Sequence, residues 1–116
     1  MNKTRRKEIG NVITEVEILQ DSLESVDETT LITEGNLGRI FDITCLVDSI
    51  KSEEEEYRDN MPENLQNSER YYAADEACSN LDSALDLLQG FDDTTTVDEC
   101  IESLNEVISH LNDAAQ

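Results

Sequence analysis

Apolar residues recur at alternating intervals of three and four positions in four segments, which is the pattern of one helical face. The first two seams consist of Ile9, Val12, Val16, Leu19, Leu23 and Val26, then Leu37, Ile40, Phe41, Thr44, Val47 and Ile50. The other two consist of Ala74, Cys78, Leu81, Leu85 and Leu88, then Val97, Ile101, Leu104, Ile108 and Leu111. Only residues 29–33 suggest an extended or looped segment instead. We therefore expect helices over residues 4–26, 37–58, 69–89 and 97–113 of a single domain.

Residues near the predicted helix ends support these boundaries. Thr96 followed by Glu99 is a capping box, and Ser68 suits the N-cap of the third helix. Gly90 lies where a left-handed residue would end that helix. Gly10 weakens the first helix by about 1 kcal/mol relative to alanine and suggests a close helix approach.

The four seams predict an all-α, antiparallel bundle of three or four helices with coiled-coil-like faces. The core is thin, because aromatic residues make up only 4% of the chain. Pairing of helices between two copies would bury more apolar surface, so we expect a homodimer or a higher oligomer rather than a monomer.

The chain carries 28 acidic and 8 basic residues, for a net charge of −20. This charge argues against direct binding of nucleic acid and against docking on anionic membranes. No apolar run is long enough to span a membrane, and no secretion signal is evident, which predicts a cytoplasmic location. Residues 71–116 contain neither Lys nor Arg. This acidic surface either favours solubility in general or is the surface offered to a basic partner.

The sequence offers little chemistry for catalysis or metal binding. Cys45, Cys78 and Cys100 are widely spaced, and His110 is the only histidine, so neither a zinc site nor a catalytic triad is indicated. The acidic segments lack the ligand spacing and central glycine of an EF-hand. We expect neither an enzyme, nor a metal site, nor a cofactor.

The connection between the second and third helices, residues 59–68, has a distinctive sequence. Pro62 prevents easy continuation of the helix, and Met61 and Leu65 suit packing beneath the loop, between Tyr57 and Tyr71. The segment is either a loop held by these apolar residues or a loop that recognises a partner.

Residues 53–77, EEEEYRDNMPENLQNSERYYAADEA, resemble a segment of small, acidic, helical proteins from bacterial phages and prophages. The matching residues are Tyr57, Asn60, Met61, Pro62, Glu63, Asn64, Leu65 and Gln66, followed by Ser68, Glu69, Arg70 and Tyr71. The basic start, KTRRKEIGNVITEVE, is similar in style to their N-termini. The resemblance implies that a mobile element encodes the protein and that it acts in the bacterial host cell.

The first functional hypothesis is a phage-type inhibitor whose carboxylates imitate the phosphates of DNA. Its partner would be a basic nucleic-acid-binding protein, such as a CRISPR effector or another defence nuclease, as for an anti-CRISPR protein. The predicted contact residues are Glu53, Glu54, Glu55, Glu56, Asp59, Glu63, Asp75, Asp82 and Asp86.

The second hypothesis is an oligomeric helical binding module, such as a sponge for nucleotide signals or an accessory scaffold. Arg58 and Arg70 flank the distinctive loop and would bind the anion in that case, with Arg5 and Arg6 as further candidates.

Overall fold

The computed structural model describes all 116 residues and contains four α-helices. They are α1 (Lys3–Glu24), α2 (Glu34–Asp59), α3 (Glu69–Gln89) and α4 (Val97–Ala114). A single 3-10 turn, Glu63–Leu65, lies between α2 and α3, and the only β-type pairing is an isolated bridge between Leu31 and Thr96. The predicted all-α helical bundle is confirmed, with four helices.

Each helix packs against the next one along the chain, and α1 also packs against α4, so the helices form a closed ring. Side-chain contacts show that neighbours are antiparallel. Arg5 near the start of α1 contacts Glu54 near the end of α2, whereas Arg39 near the start of α2 contacts Ser22 near the end of α1. The bundle is elongated and measures 54 × 21 × 18 Å along its principal axes.

The core consists of one apolar stripe from each helix, as the spacing predicts, but α2 is rotated relative to the expectation. Its buried face contains Ile40, Ile43, Val47, Ile50 and Glu54. Phe41 is 66% exposed, so its assignment to the core is wrong. The reason is that Ile43, Val47 and Ile50 form a continuous stripe, which leaves the bulky Phe41 on the neighbouring side of the helix.

The seam of α3 is buried as predicted, whereas those of α1 and α4 differ in detail. In α4, Cys100 and Val107 occupy the core, while Ile101 and Ile108 lie at its edge and are half-buried. Val26 is exposed because α1 ends at Glu24.

Side-chain caps mark the start of all four helices, and at α1 the Asn2 side chain accepts a hydrogen bond from the Arg5 N–H at 2.8 Å. The Thr33 hydroxyl accepts a hydrogen bond from the Asn36 N–H at 3.2 Å, so α2 starts at Glu34, earlier than expected. Ser68 and Thr96 cap α3 and α4 as predicted. In α4, the Thr96 hydroxyl also donates to the Glu99 carboxylate at 3.0 Å.

Two predictions about glycines are wrong: the left-handed conformation of Gly90 and the close helix approach at Gly10. Gly90 does cap α3, but its φ of −83° is ordinary right-handed backbone. A methyl group added at Gly10 would meet no atom within 4 Å, so this position does not mark a close helix approach.

The loops at one end of the bundle are tied to each other. The Ile32 N–H donates to the Thr95 carbonyl at 3.0 Å, and the Val97 N–H donates to the Thr30 carbonyl at 2.8 Å. At the other end, Met61 is buried beneath the α2–α3 connection as expected, but Leu65 is 37% exposed. The expectation that Leu65 packs there is therefore wrong.

Candidate functional site

The acidic residues predicted to contact a partner have different environments in the structure. Some are exposed and have no cationic nitrogen within 4.0 Å, namely Glu53, Glu56, Glu63 and Asp86. These side chains are free to meet a basic partner. The remaining predicted acids are buried or paired with cations of this chain.

Glu54 is completely buried, although a predicted contact residue would have to be exposed. The Arg5 Nε–H donates to Glu54 Oε2 at 2.7 Å, and the Met1 amino nitrogen lies 3.6 Å from Oε1. The Arg5 guanidinium also lies 5.4 Å from the centre of the Tyr57 ring. Glu54 follows Ile50 by four residues and therefore continues the buried stripe of α2. It holds α1 to α2 and does not contact a partner.

Two cations connect α2 to α3 and neutralise part of the predicted surface. Lys51 Nζ lies 2.9 Å from a carboxylate of α3, and Arg58 Nη1 lies 2.8 Å from another. The carboxylates in these two clusters are Asp82 and Glu55 around Lys51, and Asp75 and Asp59 around Arg58. Hydrogen bonding to Asp82 raises the pKa of Lys51, and hydrogen bonding to Asp59 raises the pKa of Arg58. The α2–α3 surface is therefore less negative than its sequence suggests.

The two arginines of the alternative hypothesis have different surroundings. Arg58 is occupied by carboxylates, whereas Arg70 lines a cleft of about 510 Å³ at the end of the bundle, beside Arg5 and Tyr57. Glu53 and Glu56 line the same cleft and offset its positive charge. The structure therefore does not assemble Arg58 and Arg70 into one anion site.

A second acidic surface lies between α1 and α4, and the sequence-based selection missed it. Gln20 of α1 donates to Asn105 of α4 at 2.8 Å, which marks where the helices meet. Exposed carboxylates lie beside this contact at helical spacings: Glu17 and Glu24 are one turn from Gln20, and Glu102 is one turn from Asn105. Asp21 and Asp98 are each one turn from one of these acids. This α1–α4 acidic face consists of Glu17, Asp21, Glu24, Asp98 and Glu102.

No Lys or Arg occurs between residues 8 and 24 or anywhere in α4, and none of the acids of the α1–α4 acidic face has an ion pair. The lack of Lys and Arg beyond residue 71 was visible in the sequence. The pairing of α1 with α4, which brings two such segments together, was not.

The molecule as a whole is a negatively charged rod. A net charge of −20 along a 54 Å axis is about one net negative charge per 2.7 Å. Duplex DNA carries about one per 1.7 Å of its axis. The linear charge density is therefore about six tenths of that of DNA, and most of the carboxylates are exposed.

The three cysteines differ in burial, and the structure contains no cluster of metal-binding side chains. Burial raises the pKa of both the Cys78 and the Cys100 thiols to about 11, which disfavours the reactive thiolate. Cys45 is exposed. No group of three or more His, Cys, Asp or Glu side chains is arranged to hold a metal ion.

Comparison with protein-family models, curated proteins and solved structures finds no significant match for this chain. No helix is both long enough and apolar enough to cross a membrane. The resemblance to phage and prophage proteins therefore stays a prediction that rests on residues 53–77 and on the basic start of the chain.

Proposed function

We propose that this protein is a non-enzymatic, phage-type inhibitor that presents a DNA-like acidic surface to the basic groove of a bacterial defence protein. The observation that carries the proposal is the linear charge density of a narrow helical rod. A groove lined by Lys and Arg for binding phosphates attracts such a rod by the same long-range electrostatics.

The α1–α4 acidic face is the strongest candidate for the centre of this contact. Its carboxylates have no cation of this chain beside them, whereas Lys51 and Arg58 partly neutralise the α2–α3 surface. The exposed predicted residues Glu53, Glu56 and Glu63 extend the negative charge to the end of α2.

The test is binding to purified CRISPR effectors and restriction nucleases at about 50 and 500 mM NaCl, with duplex DNA as competitor. We expect complexes at low salt that DNA displaces, together with inhibition of cleavage. Binding should weaken steeply at high salt, because an electrostatic contact is screened. Binding that neither salt nor DNA weakens would contradict the proposal.

Two matched variants locate the contact, since each removes four charges. The first is Glu17→Gln, Asp21→Asn, Glu24→Gln and Glu102→Gln, and the second is Glu53→Gln, Glu56→Gln, Glu63→Gln and Asp86→Asn. We expect the first variant to lose more affinity than the second. An equal loss would show that total charge alone matters, and a larger loss in the second would place the contact at α2 and α3.

A nucleotide-binding module is the second candidate, favoured by the cleft beside Arg70. Arg70 has no carboxylate within 4.0 Å, and the Tyr57 ring lines the same cleft. A thermal-shift screen with cyclic and linear nucleotides tests it. A shift that Arg70→Ala abolishes would favour this function, whereas no shift with any nucleotide would exclude it.

A further inference from the structure

An open groove with an apolar floor runs between α1 and α2. Its volume is about 550 Å³, and its apolar lining is Val12, Ile43, Leu46 and Ile50. Leu46 is 49% exposed, so a large aliphatic side chain is presented to solvent at the centre of the groove. Val12, Ile43 and Ile50 are at most 5% exposed and form the floor beneath Leu46.

The border of this groove is acidic. Glu8 and Glu15 of α1 and Asp42 and Glu53 of α2 line it, and none of them has an ion pair. The α2 residues from Asp42 to Glu53 span about 16 Å at 1.5 Å per residue, which is the length of about three helical turns. The groove therefore offers apolar contacts in its centre and negative charge along its sides.

We propose that the α1–α2 groove binds a basic amphipathic helix of the target protein. The apolar lining of α2 runs from Ile43 to Ile50 and spans about 10 Å. Apolar side chains at positions i, i+3 or i+4, and i+7 of a bound helix span the same length, and the rest of a three-turn helix would lie beside the acidic border. Lys and Arg beside that stripe would meet the carboxylates of the border. The proposal deepens the proposed function and rests on it in one respect, namely that the helix belongs to the same basic partner.

Arg39 gives the bound helix a direction. It is the only cation that lines the groove, and its Nη1–H donates to Ser22 Oγ at 3.4 Å, at the end where α1 finishes and α2 begins. The C-terminus of a helix carries partial negative charge and is stabilised by a nearby cation. The bound helix therefore places its C-terminal end at Arg39 and its N-terminal end near Glu8 and Glu53, parallel to α1.

The test uses a synthetic helical peptide of about 14 residues with a leucine stripe and flanking lysines, titrated into the 116-residue chain by calorimetry at about 0.5 M NaCl. The variant is Leu46→Lys, and the matched control is Ile18→Lys. Both residues are 49% exposed and both changes add one positive charge, but Ile18 does not line the groove.

We expect the peptide to bind the wild-type protein and the Ile18→Lys control equally, and Leu46→Lys at least about tenfold more weakly, because the apolar contact is lost. Equal weakening in both variants, or binding that disappears at high salt, would overturn the proposal, since the attraction would then be electrostatic only. A light-scattering mass of two copies that Leu46→Lys reduces to one would also overturn it, because a second copy would then be the occupant.

The result separates this inference from the proposed function. If no defence nuclease is bound or inhibited at any salt concentration, the proposed function fails even though the peptide binds. If a nuclease is inhibited equally by the wild-type protein and the Leu46→Lys variant, the groove proposal fails and the acidic rod is sufficient for inhibition.

Discussion

Glu54 is the residue whose role differs most from what its sequence context suggests. It lies in a run of four glutamates, yet its side chain is fully buried while Glu53 and Glu56 are exposed. Removing an ionised carboxylate from water is costly unless a cation and hydrogen bonds compensate for it. Arg5, 49 residues away in the chain, compensates at Oε2, whereas Oε1 has no hydrogen bond and only the Met1 amino group 3.6 Å away. The i+4 spacing from Ile50 was visible in the sequence, but the partner was not.

We predict that Glu54→Gln destabilises the fold by about 3 kcal/mol, because Arg5 then keeps its charge in a nearly buried site without the carboxylate that it contacts directly. The measurement is the free energy of unfolding in urea. Glu53→Gln is the matched control, and it should change stability by less than about 0.5 kcal/mol, since Glu53 is exposed and has no ion pair.

A double variant tests whether the loss of stability comes from leaving one member of the Arg5–Glu54 ion pair without the other. Replacing both Arg5 and Glu54 by methionine should recover part of the loss, because the Arg5 charge is removed together with its carboxylate and only the Met1 amino group loses its partner. If Glu54→Gln proves as stable as the wild-type protein, the ion pair does not hold α1 to α2.

The three cysteines should differ in reactivity because they differ in burial. We predict that a thiol reagent labels Cys45 rapidly in the native protein, and Cys78 and Cys100 only when urea is added. A Cys45→Ser variant should lose the rapid phase. Rapid labelling of more than one thiol per chain would contradict the buried positions of Cys78 and Cys100.

Because the pKa values of Cys78 and Cys100 are raised in the folded chain, we predict that the free energy of unfolding decreases at alkaline pH. The thiols stay protonated up to about pH 11 in the folded chain, whereas the unfolded chain releases these protons near pH 9. The native state thus binds more protons than the unfolded state between these values, and this part of the stability is lost as the pH rises from about 9 to 11.

At the scale of elements, Thr96 has two roles at the start of α4: it caps the helix, and it pairs with the connection between α1 and α2. The Thr96 hydroxyl accepts from the Glu99 N–H at 3.2 Å, and Thr96 also forms the bridge to Leu31 of the α1–α2 connection. We predict that Thr96→Ala costs about 1 kcal/mol, measured by urea unfolding. Ser109→Ala, at an exposed position of the same helix, is the control and should cost less than about 0.5 kcal/mol. Equal effects would show that the cap contributes nothing beyond helix propensity.

The elements differ in how well periodicity predicts them. The α3 seam was predictable because its stripe of leucine and alanine is flanked by polar residues on both sides. For α2 the pattern was ambiguous, since Leu37, Phe41 and Leu46 place apolar side chains outside the core as well. Tertiary packing resolved the ambiguity by burying Ile43 and, with the help of Arg5, Glu54. The α1–α2 groove was not predictable for the same reason, because it depends on which sides of α1 and α2 face each other.

At the scale of the whole molecule, folding brings 28 acidic side chains together along a narrow rod with few cations between them. The ion pairs involve only Lys51, Arg58, Arg5 and the Met1 amino group as cations. The exposed pairs among them contribute little to stability, about 0–1 kcal/mol each. Repulsion among the other carboxylates therefore dominates the long-range electrostatics, and it opposes the compact state.

We predict from this balance that salt stabilises the fold. Between about 0.01 and 0.5 M NaCl the screening length falls from about 30 Å to a few ångströms, shorter than the 18 Å width of the bundle. Repulsion across the bundle is then largely removed, and a gain of about 1 kcal/mol corresponds to a rise in Tm of about 5 °C.

The variant that removes four charges from the α1–α4 acidic face should start from a higher Tm and respond less to salt, which separates screening from a general salt effect on apolar burial. A Tm that falls as salt is added would mean that the ion pairs outweigh the repulsion. The net charge of −20 would then oppose the compact state only weakly, and the repulsion inferred along the rod would be too small to account for attraction of a basic partner.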